Sequence, residues 1–250
     1  MEIYGGRAGF NSVSFTGERY YAVSEIKNNE ITTYIKPKKE GGKITDILSR
    51  IPFARSYSLF IELIINRWKQ LLSTFIILFL FEKVLNMESN SIFLTVFSNN
   101  SLLGLSSFLV LVSLVIKITP IGKLHGAEHM CAHAYTKNLN LTLETEKDQP
   151  RTHKDCGTNF ITSIFICFLM LQMVFGDSVW VILLSWSIGY ELWKCKPKIA
   201  WDIVVVIGKA AQYLLFTSKP KEKHILVAIE AIKKLEEKES EITIKRTPKI

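Results

Sequence analysis

The sequence predicts a mainly α, polytopic membrane protein with about four transmembrane helices, an interfacial or re-entrant helix and a small N-terminal β-hairpin unit. Composition is the first observation behind this. Hydrophobic residues make up 48% of the 250, yet 22% are charged, which suits a chain divided between lipid and water. The apolar residues are also gathered into separate runs close to the length that a bilayer core demands. Finally, 30 of the 31 Lys and Arg fall in three segments, 1–70, 117–159 and 194–250.

Residues 1–43 are polar and β-rich. Tyr20–Ile26 and Ile31–Ile35 alternate like strands, and Lys27-Asn28-Asn29-Glu30 supplies turn chemistry between them. Gly41-Gly42 closes this unit. Residues 44–70 read as an amphipathic helix interrupted by Pro52, with Arg50, Arg55, Arg67 and Lys69 on polar faces, suited to the headgroup plane. A first transmembrane pair follows within 71–118. Its Leu71–Leu85 run is short at 15 residues, whereas 101–118 is a better span with Lys117 free to snorkel. The segment 119–159 is polar and rich in His and Cys. A second pair occupies 160–193, its runs 160–175 and 179–193 joined by Gly176-Asp177-Ser178. Within 194–216 the run 201–216 is weaker, because it carries Asp202, Lys209 and Gln212. Residues 217–250 are soluble, with a helical stretch from about His224 to Lys238.

The three basic segments hold 11, 6 and 13 Lys and Arg in chain order, and the loops 86–100 and 176–178 hold none. Four crossings with both termini in the cytoplasm reproduce that pattern by the positive-inside rule. A fifth would carry the Lys-rich tail outside, so 201–216 is expected to be re-entrant or interfacial. The net charge of +8 is then a matter of topology. No aromatic-interleaved basic motif supports nucleic-acid binding. The expected partners are the lipid bilayer and a membrane-associated substrate or protein. The cysteines, Cys131, Cys156, Cys167 and Cys195, form no Cys-x-x-Cys pair, and the first 30 residues contain no secretory signal. Reduced thiols are expected.

Chemistry is concentrated in 121–160, where four of the five histidines fall within 29 residues. On a helix, His125 and His129 share a face one turn apart, and Glu128 joins them at i+3. Two imidazoles so spaced can hold one Zn²⁺, and a neighbouring carboxylate can accept a proton from water. The order His-x-x-Glu-His is that of the inverzincins. His153-x-x-Cys156 offers two further donors just before an apolar helix. Duller readings stand beside these. His125 and His129 can be polar side chains at a helix end, Cys156 can pack against the next helix, and His133 can be a surface residue. Asp155 is a candidate outer partner of the ligands. Glu191, within the fourth apolar run, is a functional candidate by its cost in lipid, although snorkelling accounts for it equally.

These blocks resemble the signature of the bacterial membrane family called domain of unknown function 1385, the YqhQ-like proteins. The shared elements are His125-Gly126-Ala127-Glu128-His129, Tyr135, Leu141-Thr142-Leu143-Glu144 and Arg151-Thr152-His153-Lys154-Asp155-Cys156-Gly157. Weaker matches are Tyr4-Gly5-Gly6, Ile51-Pro52-Phe53 with Arg55, Gly189-Tyr190-Glu191-Leu192 and Val227–Ala231. The chain departs from the family after Gly6. There it reads Arg7-Ala8-Gly9-Phe10-Asn11 in place of Gln-Ala-Val-Ile-Glu, so Asn11 stands at an acidic position. The resemblance implies a metal-dependent membrane protein and adds Tyr135 to the outer partners.

The sequence thus points to Zn²⁺ held by His125, His129, His153 and Cys156, with Glu128 as general base of a hydrolase at the cytoplasmic membrane face. If all four donors bind, the coordination is closed and the site is structural. The chain is then a non-catalytic scaffold or transport-associated protein.

Overall fold

The computed structural model describes residue 3, residues 5–38 and 43–58, individual positions between 61 and 76, and residues 101–246. It divides into two compact units. The first comprises residues 1–39, 112–159 and 205–250, the second 40–111 and 160–204.

In the first unit, β1 (Gly5–Ala8), β2 (Ser12–Thr16), β3 (Tyr20–Lys27) and β4 (Glu30–Pro37) form an antiparallel meander in chain order. The expected hairpin is its β3–β4 half, with Lys27 opposite Glu30. Asn28 and Asn29 at the turn have φ of 50° and 65°, a pair of positive values that matches the right-handed twist of the strands. Alternation along β2 and β3 puts Val13, Phe15, Ala22 and Ser24 on one buried face.

That face is covered by α8 (Glu222–Arg246), whose Ile225, Ala228, Ile232 and Leu235 recur at helical spacing. Helix α3 (Pro120–Thr136) adds Leu124, Ala127, Met130 and Cys131 to the same core. Glu239 of α8 accepts the backbone N–H groups of Arg19 and Tyr20, at 2.8 and 2.9 Å, fixing the helix to the start of β3. The remaining elements are α1 (Lys43–Ser49), α2 (Ser101–Ile118), α4 (Leu143–Lys147), α5 (Gly157–Phe175), α6 (Val179–Cys195) and α7 (Lys198–Ala211). The last runs on into a π-turn, Gln212–Phe216.

The spans differ from the four expected. Among the described residues two helices are long and apolar enough to cross a membrane, Gly157–Phe175 and Lys198–Phe216. They become three if Val110–Ile118 and Pro120–Thr136, bent by 81°, are one broken span. The 179–193 run forms α6, whose 17 residues reach only about 25 Å at about 1.5 Å per residue. The Leu71–Leu85 run lies largely outside the described residues. The 201–216 segment, expected to be re-entrant or interfacial, lies within the 19-residue helix Lys198–Phe216.

In the second unit, α6 packs on α5 where Gly189 meets Ile164, and Ser163 donates to the Gly189 carbonyl at 2.8 Å. Phe160 lies among the rings of Trp186, Tyr190 and Trp193. The turn and helical residues 53–58 dock on α6 through polar bonds. Ser187 donates to the Phe53 carbonyl at 2.5 Å and Tyr57 to the Leu183 carbonyl at 3.0 Å. Glu191 accepts from the Phe53 N–H and from the Arg55 guanidinium.

Candidate metal centre

Helix α3 carries the central residues. Pro120 stands in its first turn, where a missing N–H costs nothing, and the chain bends sharply out of α2. His125, Glu128 and His129 then project from one face at i, i+3 and i+4. Gly126 lies on the other side against the segment that follows the π-turn. A Cβ there would stand 2.6 Å from the Ser218 carbonyl oxygen, so only glycine permits the approach.

The ligand atoms of His125, His129 and Cys156 all lie within 4.8 Å of one another. The Cys156 Sγ is already 3.3 Å from His125 Nε2. A tetrahedral ion with ordinary Zn–N and Zn–S bonds sets its donors roughly 3.3–3.8 Å apart, so small side-chain movements suffice. His129 supplies the sharper observation. Its Nδ1 donates to the Arg151 carbonyl at 2.8 Å, which leaves Nε2 as the bare, accepting nitrogen. That Nε2 is buried and has no hydrogen-bond partner among the described residues. A buried acceptor without a partner is costly, and a cation removes the cost. The His/His/Cys cluster can therefore coordinate a divalent metal. His125 is oriented in the same way, by a bond to the backbone of Phe216 in the π-turn.

Cys156 caps the N-terminus of α5. It accepts from the Thr158 N–H at 3.4 Å, a bond that favours a thiolate, and its Sγ–H donates to Thr158 Oγ1 at 3.4 Å. Burial works the other way and pushes the thiol up to about 11.

Glu128 is buried, with Oε2 3.6 Å from His129 Nε2 and 3.9 Å from His125 Nε2. Its other face is set by the N-terminal strand: a Cβ on Gly6 would stand 2.1 Å from Oε1. Gly6 is thus part of the site. The sequence marked it only within the weaker Tyr4-Gly5-Gly6 match to the family, far from the histidines.

His153, expected as a ligand, stands apart from the three-residue cluster. Its ring centroid is 6.0 Å from that of His129 and 4.6 Å from that of His133. Its Nδ1 accepts from the Asp155 N–H at 3.2 Å. Burial, with His133 second, holds the His153 imidazole down near 4, so it is neutral at physiological pH. Gln212, fully buried in the π-turn, fixes the backbone here. It accepts from the His153 N–H at 2.7 Å and donates to the His153 carbonyl and to Asn159 Oδ1, both at 3.1 Å. The sequence showed this glutamine only as a flaw in an apolar run. His133 gives its Nε2 proton to the Thr152 carbonyl at 2.8 Å. Tyr135 packs against the core of the first unit, and Asp155 is exposed. Glu191 belongs to the second unit and is engaged by Arg55 and Phe53.

A sheet-capped helical chain with a buried His/His/Cys cluster and apolar helices of membrane length now stands beside its relatives. The chain belongs to the family described as Protein of unknown function (DUF1385), whose match covers residues 27–238. It is similar to "Uncharacterized protein YqhQ" of Bacillus subtilis (strain 168), with 26% identity over 294 residues, covering 93% of this chain and 92% of that protein. No solved structure matches it.

Proposed function

We propose that the chain is a metal-dependent hydrolase of a bacterial plasma membrane, with its site on the cytoplasmic face. His125, His129 and Cys156 would hold the ion. Two imidazoles and one thiolate on a tetrahedral centre suit Zn²⁺, and three protein donors leave the fourth position free for chemistry. A divalent cation so held supplies Lewis acidity to a substrate carbonyl or phosphoryl group and to water. Glu128, within 4 Å of both imidazoles and with its carboxyl raised by burial to about 8, is placed to exchange a proton with the attacking water. His129 is kept in the right tautomer by the Arg151 carbonyl. The candidate substrates are peptide, lipid-linked or amide. The observation that carries this reading is the buried, partnerless Nε2 of His129 facing a thiol and a carboxylate.

The test begins with the protein purified in neutral detergent. Plasma emission spectrometry should find about one zinc per chain. His125→Ala, His129→Ala and Cys156→Ala should each lose it. Glu128→Gln should retain the ion and lose at least about a hundredfold in hydrolysis across ester and amide substrates, in the range expected for a general base. Full metal content with undiminished turnover in Glu128→Gln would give the site to structure alone.

A further inference from the structure

Next to the cluster lies a set of positive side chains that the proton and metal chemistry leaves unused. Arg151, whose carbonyl orients His129, stacks its guanidinium over the Tyr213 ring with Cζ 4.0 Å from the centroid. Its Nε is buried without a hydrogen-bond partner, and Arg151 has no ion pair among the described residues. Stacking leaves the in-plane N–H fork free, the geometry that arginine uses for oxyanions. Lys154 and Lys209 are exposed, form no ion pair among the described residues, and both act on the imidazoles of His133 and His153. Lys137 acts on His133 as well and is bonded to the amide of Gln149. The carboxylate acting on His153 is that of Asp155. Lys154 in the loop and Lys209 near the end of α7 therefore act on one imidazole pair, and the His153 ring centroid is 6.0 Å from that of His129 in the metal cluster.

We infer that Arg151, Lys154 and Lys209 form an oxyanion-binding flank of the metal cluster, and that the substrate carries a phosphate group. The inference rests on the metal-site reading and narrows its substrate class. Guanidinium and ammonium groups without carboxylate partners gain most from a dianionic phosphate, which takes up the arginine fork while the lysines balance the second charge. The phosphate can come from a lipid headgroup or from a soluble ester.

The experiment uses the full chain in neutral detergent and follows inorganic phosphate by ³¹P line broadening. Dioctanoyl phosphatidic acid and dioctanoylglycerol serve as competitors. Saturable phosphate binding is expected. Lys154→Gln/Lys209→Gln, with both sites exposed and folding undisturbed, should weaken it about tenfold, and Arg151→Gln by at least that much. Phosphatidic acid competing ten times better than phosphate, with dioctanoylglycerol silent, assigns a lipid headgroup. Equal competition assigns a soluble ester. No saturable binding, binding unchanged in the lysine pair, or equal competition by dioctanoylglycerol overturns the proposal. Zinc content measured on the same samples separates the two readings. Flank-dependent phosphate binding by zinc-free wild type sinks only the metal site, and zinc-loaded protein that ignores phosphate sinks only the flank.

Discussion

Glu128 is held between two imidazoles on one side and the bare Cα of Gly6 on the other, so its position depends on a residue more than 100 places away in the chain. Gly6→Ala should push the carboxylate off His129. The overpacking should cost about 1–3 kcal/mol in denaturation in detergent, and hydrolysis should fall while zinc content stays at the wild-type level. Glu146 offers a cleaner test of a single buried charge. Its two oxygens are buried, and the polar groups acting on it are the Cys131 thiol and Lys233. Burial raises its carboxyl from 4.5 to about 7. The unfolded chain releases this proton above 4.5, whereas the folded chain keeps it up to about 7. Stability is therefore lost as pH rises through that window, by about 2 kcal/mol. Glu146→Gln should flatten the thermal midpoint between pH 5 and pH 8. An unchanged slope would show that Glu146 is ionised in the fold.

The element scale shows which parts of the fold were legible in sequence. The β3–β4 hairpin was, because Asn28-Asn29 supplies two positive-φ residues between alternating strands. β1 and β2 were not. Ser12–Thr16 contributes only Val13 and Phe15 to the core, too few to register as a period. The His-x-x-Glu-His face was legible from spacing, since i, i+3 and i+4 fix a shared helix face before any tertiary contact exists. His153-x-x-Cys156 was legible only as a pair. Cys156 sits at a helix N-terminus close to His125, while His153 lies on a loop whose backbone Gln212 fixes beside His133. No local pattern says which of the two turns inward. The same glutamine made 201–216 look unsuited to a span. In the fold it is buried against polar partners, and Asp202 and Lys209 are exposed. Gln212→Ala removes the bonds to His153 and Asn159, and should loosen the loop that presents Cys156. Zinc affinity measured against a chelator should drop about 10–100-fold, the usual range for supporting residues. Gln212→Glu should restore part of it, because one oxygen still accepts from the His153 N–H.

At the scale of the whole molecule, the sheet of residues 5–37 and helix α8 share one hydrophobic core, to which α3 also contributes. Polar strands with open edges cannot sit in hydrocarbon, where unpaired N–H and C=O groups find no water. The sheet, α8 and α3 are therefore predicted to lie together on one side of the membrane, with an even number of crossings between sheet and α8. Among the described residues the helices of membrane length are Gly157–Phe175 and Lys198–Phe216. A broken span through α3 would require one more crossing elsewhere and would pull Leu124 and Ala127 out of the core they fill. The segments 1–70 and 194–250 carry 11 and 13 Lys and Arg, so the positive-inside rule predicts the cytoplasmic side for both. Green fluorescent protein fused in turn to either terminus should fluoresce in both cases, and alkaline phosphatase at the same positions should be silent. A fluorescent N-terminal fusion paired with an active C-terminal phosphatase would break the even count, and with it the single core that joins the two ends of the chain around the metal cluster.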